Sequence, residues 1–190
     1  MTKSRRGKII IVVAPSGTGK STLIKRIEEE FPSLKWSVSY TTRPKREGEL
    51  DGKDYFFISK EDFLEKKSES DFIEWAVVHE NYYGTSRSFV EESLSLGHDL
   101  LFDLDVQGTD KMKECFGDEA KAIFISPPSL IELENRLKLR GTEQEQTINL
   151  RLTNAKSEIL RRDDYDYLVI NDDLEEAYKN LKDLFRTILR

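Results

Sequence analysis

The residues best suited to chemistry stand in one unbroken stretch, Ala14, Pro15, Ser16, Gly17, Thr18, Gly19, Lys20, Ser21 and Thr22, directly after the apolar run Ile9–Val13. Set against the phosphate-binding pattern G-x-x-x-x-G-K-[ST], the window from Ala14 to Ser21 lacks only the first glycine. Ala14 closes the preceding run, where a small side chain suffices. Gly17 and Gly19 lie inside the loop, where backbone N–H groups must turn toward a phosphate and a Cβ would obstruct. Lys20 then supplies charge to the β- and γ-phosphates and Ser21 offers a hydroxyl to a magnesium ion, while the helix that follows adds its dipole. A glycine-rich turn carrying a solvent lysine is the plainer alternative. The apolar run before, the helical pattern after and Lys-Ser-Thr in register favour phosphate binding. The loop alone does not distinguish hydrolysis, switching and transfer.

Such a loop needs a strand and a helix to hold it, and the chain supplies both repeatedly. Short continuous apolar runs at 8–14, 99–104, 121–126 and 166–170 predict strands covered on both faces in a parallel sheet. Helical spacing at 20–30, about 107–115, 129–139 and 173–189 alternates with them, and capping boxes stand at Ser129/Glu132, Thr142/Glu145 and Asp173/Glu176. The alternation predicts an α/β fold with right-handed crossovers. Between about 37 and 90 the pattern changes to strand-like pieces, with Asp51-Gly52 as a hairpin turn and a short helix near 60–68, so a small mixed lobe is inserted in the core. A second insertion begins at 135, where Arg140-Gly141 breaks one helix before a polar one starts, and it predicts a lid.

The bulk numbers set bounds. A chain of 190 residues makes one domain with room for a proper core. One cysteine, Cys115, allows neither an internal disulfide nor a cysteine metal site, and the basic start leads into too few apolar residues for a leader or a membrane span. A cytoplasmic protein is expected, with no membrane partner. A net charge of -6 argues against a whole-surface nucleic-acid binder, so phosphate binding must be local.

Seven stretches, "APSGTGKST", "SVSYTTRPKREGELDGKDYFF", "FIEWAVVHENYYGT", "LFDLDVQG", "IFISPPS", "RLKLRGTE" and "VINDDL", together and in this order resemble the guanylate kinases over about residues 8–180. The resemblance implies a P-loop three-layer fold: a central parallel sheet flanked by helices (core 1–36, 91–134 and 156–190), an inserted mixed α+β lobe for the nucleoside monophosphate (about 37–90) and a helical lid (about 135–155). It implies magnesium-dependent transfer of a phosphoryl group from ATP to GMP, with dGMP a further acceptor. Monomer and homodimer both remain open.

What GMP requires can be matched residue by residue. Its 5′-phosphate is a dianion that suits a fork of donors, which Arg43 and Arg46 offer, and Tyr55 and Tyr83 can add hydroxyl donors. In "TTRPKREGE" the proline stands one place earlier than in the family's arginine-x-proline-arginine order. Guanine presents two adjacent donors and an O6 acceptor, which suit the Glu74 carboxylate and the hydroxyls of Ser39 and Thr85. Glu74, beside Trp75 in an apolar strand, needs a partner, and a neighbouring cation would equally explain it. Tyr55, Tyr82 and Tyr83 also read as aromatic packing. The resemblance adds Glu49 to the GMP site and Asn171 near the adenine of ATP, where Asp172 or Asp173 could instead cap the last helix. Asp105 resembles a further base contact and Asp103 the residue that orients magnesium through water, a division the residues leave open.

Because the acceptor is a phosphate oxygen with a second pKa of about 6, no general base is needed. That suits a chain whose two histidines, His79 and His98, sit beside strands without a catalytic partner. Catalysis falls to Lys20, Arg43 and the arginines that match the family's lid, Arg136, Arg140 and Arg151, although Arg136 and Arg140 alone, four apart, equally read as a solvated helix face. A guanylate-kinase-like interaction module would keep the fold without the phosphate loop, and this chain keeps Gly17, Gly19, Lys20 and Ser21. A kinase for adenylate, thymidylate or cytidylate would have no use for Glu74 with Ser39 and Thr85.

Overall fold

The computed structural model describes residues 5–78, 80–139 and 145–190. In chain order the first half runs β1 (Ile9–Val13), α1 (Lys20–Glu30), β2 (Lys35–Trp36), β3 (Tyr40–Thr41), β4 (Phe56–Phe57), α2 (Lys60–Ser68), β5 (Phe72–Val78), β6 (Asn81–Ser86) and α3 (Arg87–Ser95). The second half runs β7 (Leu100–Asp103), α4 (Val106–Phe116), β8 (Ala120–Ser126), α5 (Leu130–Leu139), α6 (Glu145–Leu160), β9 (Tyr167–Ile170) and α7 (Leu174–Leu189).

A five-stranded parallel sheet in the order β2-β7-β1-β8-β9 forms the core. β1 is central and buried along its whole length, because its alternate residues enter two different layers. Ile9, Ile11 and Val13 pack with Val90 and Leu94 of α3 and Met112 of α4. Ile10 and Val12 pack with Leu23 and Ile27 of α1 and with Leu181 and Phe185 of α7. Burial of about 2 kcal/mol per aliphatic side chain on both faces is what makes the run apolar throughout and holds its carboxyl end firmly. Parallel pairing puts Ala14, Asp103, Ser126 and Asn171 at one edge of the sheet, where α/β proteins bind ligands. β2 is a two-residue edge strand, too short to register as an apolar run. Among the described residues no helix is long and apolar enough to cross a membrane.

The lobe is a separate mixed sheet, β4-β3-β6-β5, with β3 parallel to β4 and the other pairs antiparallel. Its core is aromatic: Phe63 stacks on Phe72 with centroids 4.2 Å apart and lies 5.2 Å from Tyr82, while Tyr40 stacks on Phe56 at 4.7 Å. The hairpin expected at Asp51-Gly52 does not form. The chain does turn there, but the Asp51 carboxylate accepts from the Phe57 N–H at 2.9 Å and the Asp54 carboxylate from the Leu50 N–H at 2.7 Å. These local bonds occupy donors that an antiparallel ladder would need, and β4 pairs in parallel with β3 instead.

Asp71 ties the lobe to the core. Its oxygens accept from the Ser88 N–H and the Ser86 hydroxyl, both at 2.8 Å, and from Lys66 at 3.3 Å. Burial pushes this carboxyl up, but the bonds outweigh it and hold it below the usual range.

Leu133 and Leu137 of α5 pack with Ile148 and Ala155 of α6 as a small third core. Ser129 caps α5 through the Glu132 N–H at 3.1 Å, and Asp173 caps α7 through the N–H groups of Glu175 and Glu176. The Thr142/Glu145 box, the break at Arg140-Gly141 and His79 are sequence expectations that lie outside the described residues. The boundaries drawn near 90 and 155 fall inside α3 and α6, whose continuous backbone bonding carries each helix to its own end.

Candidate active site

The glycine loop begins where β1 ends. Gly17 and Gly19 both sit at φ 91°, a left-handed conformation open to glycine. A Cβ on Gly17 would meet the Leu137 Cδ2 at 2.8 Å, and one on Gly19 the Asn171 Nδ2 at 2.6 Å. No side chain caps the N-terminus of α1; the Thr22 N–H turns back to the Gly19 carbonyl at 3.1 Å, and the positive end of the helix faces the loop. Ala14, Pro15, Ser16, Gly17, Gly19, Lys20, Ser21 and Thr22 line a cavity of about 430 Å³ together with Asp103 and Glu158. Thr18 is buried beneath them, its hydroxyl donating to the Pro15 carbonyl. The Lys20 ammonium is paired with Asp103, at the end of the neighbouring strand β7.

Asn171 follows β9 and is 4% exposed. Its side-chain amide donates to the Thr18 carbonyl at 2.6 Å, and its backbone carbonyl accepts from Arg136 at 2.8 Å. The side chain placed near adenine by resemblance is therefore turned inward as a brace for the loop. Arg136 also bonds the Asp172 carbonyl at 3.2 Å and Glu132 at 2.9 Å, so it is not a solvated face. Arg151 of α6 donates to the Ser16 hydroxyl at 2.9 Å. Arg140 lies outside the described residues.

In the lobe a second cluster is built from side chains. The Arg43 guanidinium donates to both Glu49 oxygens at 2.7 and 3.1 Å, and Glu49 also accepts from the Arg46 N–H at 2.7 Å. Glu49, then Tyr83, hold the guanidinium above its ordinary range, and Arg43 in turn holds the Glu49 carboxyl below its own. Arg43 lies 5.5 Å from the Tyr55 ring centroid, and Tyr55 meets Tyr83 edge-on at 5.9 Å. Arg43, Glu49, Tyr55 and Tyr83 thus form one cluster, while the Arg46 side chain is exposed beside it.

On adjacent strands Glu74 faces Thr85, whose hydroxyl donates to the carboxylate at 2.7 Å. The partner that a carboxylate beside Trp75 requires is thus a hydroxyl. Tyr83 and Thr85 are two apart on β6 and share one face of the lobe sheet, so the cationic cluster and the Glu74 pair adjoin. Ser39 stands just before β3, its carbonyl accepting from the Phe56 N–H at 2.9 Å. The two aspartates separate: Asp103 faces Lys20 in the loop cavity, whereas Asp105 caps α4 through the Gly108 N–H at 2.7 Å and lines the groove beyond it.

Three contributors escape a reading by motif: Asn171 as a brace, Asp71 as the tie to the lobe, and Glu158 in the loop cavity. The one signal for Glu158 is its position on α6, seven residues after Arg151 and so on the same face.

A family model described as guanylate kinase matches residues 6–188. A guanylate kinase of Nitratidesulfovibrio vulgaris is 47% identical over 182 residues, 96% of this chain and 87% of that one. One of Thermotoga maritima is 42% identical over the same shares of the two chains. The crystal structure of guanylate kinase from Anaplasma phagocytophilum superposes with a TM-score of 0.67 at 33% identity, covering 97% of this chain and 87% of that one. A glycine loop on a parallel sheet, a mixed-sheet lobe and likeness along nearly the whole length lead to one conclusion: the chain belongs to the guanylate kinase family.

Proposed function

We propose that this protein transfers the terminal phosphoryl group of ATP to GMP, giving ADP and GDP, in purine nucleotide metabolism. The observation that carries the reading is a second anion site on the same chain. Besides the phosphate loop, the Arg43 cluster offers a guanidinium and two phenols to a smaller anion, which a hydrolase does not need and a transferase between nucleotides does. Glu74, with one oxygen held by Thr85, has its other oxygen for the adjacent N–H donors of guanine.

In this scheme Lys20 leaves Asp103 for the β- and γ-phosphates, the uncapped start of α1 receives the polyphosphate, and Asn171 keeps the loop in shape. Arg43, Tyr55 and Tyr83 hold the GMP phosphate, with Arg46 beside them. Glu49 acts through Arg43, since a carboxylate repels a phosphate. Ser39 serves the O6 edge, and Asp105 contacts the base edge with the oxygen its cap leaves over. Arg136 and Arg151, with Arg140, bring the α5–α6 lid onto the transferring group and exclude water. The lobe (about 37–90) and the lid (about 135–155) close on the core.

The oxygen donors Ser21 and Asp103 on one cavity suit magnesium, Ser21 directly and Asp103 through water. Among the described residues no three metal-ligating side chains form a cage, the pattern of an ion held mainly by substrate phosphates. When bound, the ion neutralises charge on the phosphates. We place the enzyme in the cytoplasm, with soluble nucleotides and neither nucleic acid nor membrane as partners.

The test is ADP release from ATP and Mg²⁺ with GMP, dGMP, AMP, dTMP and CMP offered in parallel. GMP, with dGMP, should turn over, and the others only marginally. Comparable rates with AMP would refute the role given to Glu74, and no turnover with any acceptor would refute the transfer.

A further inference from the structure

α6 is pinned at Arg151, which bonds the loop hydroxyl of Ser16, and again just past its end, where Arg161 grips Asp110 of α4 with two bonds of 2.8 and 2.9 Å. Glu158 lies between these points and lines the donor cavity beside Lys20 and Asp103. It also lines the adjoining groove with Asp105. Burial, then repulsion from Asp105, pushes its carboxyl up, with Lys20 pulling the other way, and no hydrogen bond to a described residue relieves it. A half-buried carboxylate without a partner is costly, and one aimed into a phosphate cavity has the wrong sign for the ligand. Two carboxylates, Asp103 and Glu158, line that cavity, and its lining cation Lys20 is already paired with Asp103, which leaves Glu158 without an ion-pair partner among the described residues. A free polyphosphate entering there brings several negative charges up to that carboxylate. A polyphosphate that carries a divalent cation does not.

We propose that Glu158 makes the donor cavity select the magnesium complex of a nucleotide and reject the free nucleotide, which presupposes that this cavity takes a nucleotide polyphosphate. Glu158 is thus a specificity-determining residue that acts through charge and is fixed in place by the anchors on either side of it.

The readout is direct binding without turnover: calorimetric titration of ADP into the protein with excess Mg²⁺ and again with EDTA, taking the ratio of the two Kd values. Glu158→Gln should tighten metal-free binding and lower the ratio about fivefold or more relative to the wild type. Glu158→Ala should do the same without an amide in the cavity, and Glu158→Asp, which keeps the charge, should retain most of the wild-type ratio. A merely structural role would weaken both Kd values in parallel and leave the ratio within about twofold; that result in either neutral variant that melts cooperatively overturns the proposal. Failure of the wild type to bind ADP in either buffer overturns the donor-site reading and this inference with it, whereas an unchanged ratio overturns this inference alone.

Discussion

The two halves of the site are held by different means. The phosphate loop is backbone, carried on a strand whose five residues are all buried, and its glycines are closed in by Leu137 on one side and Asn171 on the other. The lobe side, which we propose takes the acceptor, is assembled from the segments around the two-residue strands β3 and β4 and from the paired strands β5 and β6, and its geometry is set by side chains gripping one another: Arg43 on Glu49, Thr85 on Glu74, Tyr55 against Tyr83. A rigid core fixes a shape suited to a phosphate chain common to many nucleotides. A lobe of reciprocal pairs fixes a pattern of donors and acceptors, which is what discriminating one base from another requires.

If the donor half depends on backbone shape, the largest loss should come from one added methyl. Gly19→Ala places a Cβ against the Asn171 amide at φ 91°, and kcat/KM for ATP should fall about 10²-fold or more, since small misplacements of reacting groups cost that much. Activity within a few fold of wild type would show that the loop can re-form, and the contrast between the halves would fail. On the acceptor side, Glu49→Gln keeps the volume and weakens the grip on Arg43. KM for GMP should rise about tenfold with KM for ATP unchanged. An equal rise in both would mean that Glu49 supports the fold at large and not the Arg43 fork.

The smallest effect belongs to the tie between the halves. Asp71→Asn should lower stability to urea by about 1 kcal/mol at neutral pH. The Asp71 carboxyl is depressed in the folded protein, so its stabilisation is fully present above the ordinary aspartate pKa of about 3.9 and fades as pH falls through the lower folded value. The gap between wild type and variant should therefore close in acid, as followed by urea melts from pH 7 down to about pH 3. A gap independent of pH would trace the loss to packing.

What could be read from the residues alone follows the same division. The parallel sheet was legible because strands covered on both faces become unbroken apolar runs, and the phosphate loop because its glycines and Lys20 stand in a fixed local order. The lobe was legible as mixed sheet, but its pairing was not, since Asp51 and Asp54 redirect the turn through side-chain bonds. The two-residue β2 carries no pattern. Glu158 and the inward turn of Asn171 were hidden for another reason: each acts across the fold on residues far away in the chain, and no spacing encodes that.

Asn171 and Thr18 stand 153 positions apart, yet one hydrogen bond joins them. The loop is made early in synthesis and its brace late, so a growing chain can have its glycine turn outside the ribosome long before that turn has anything to lean on. ATP-binding competence should then arrive as a late step, once β9 has docked beside β8 and α7 has sealed the layer behind it. A ligand that captures only this finished state would favour completed chains over partial ones.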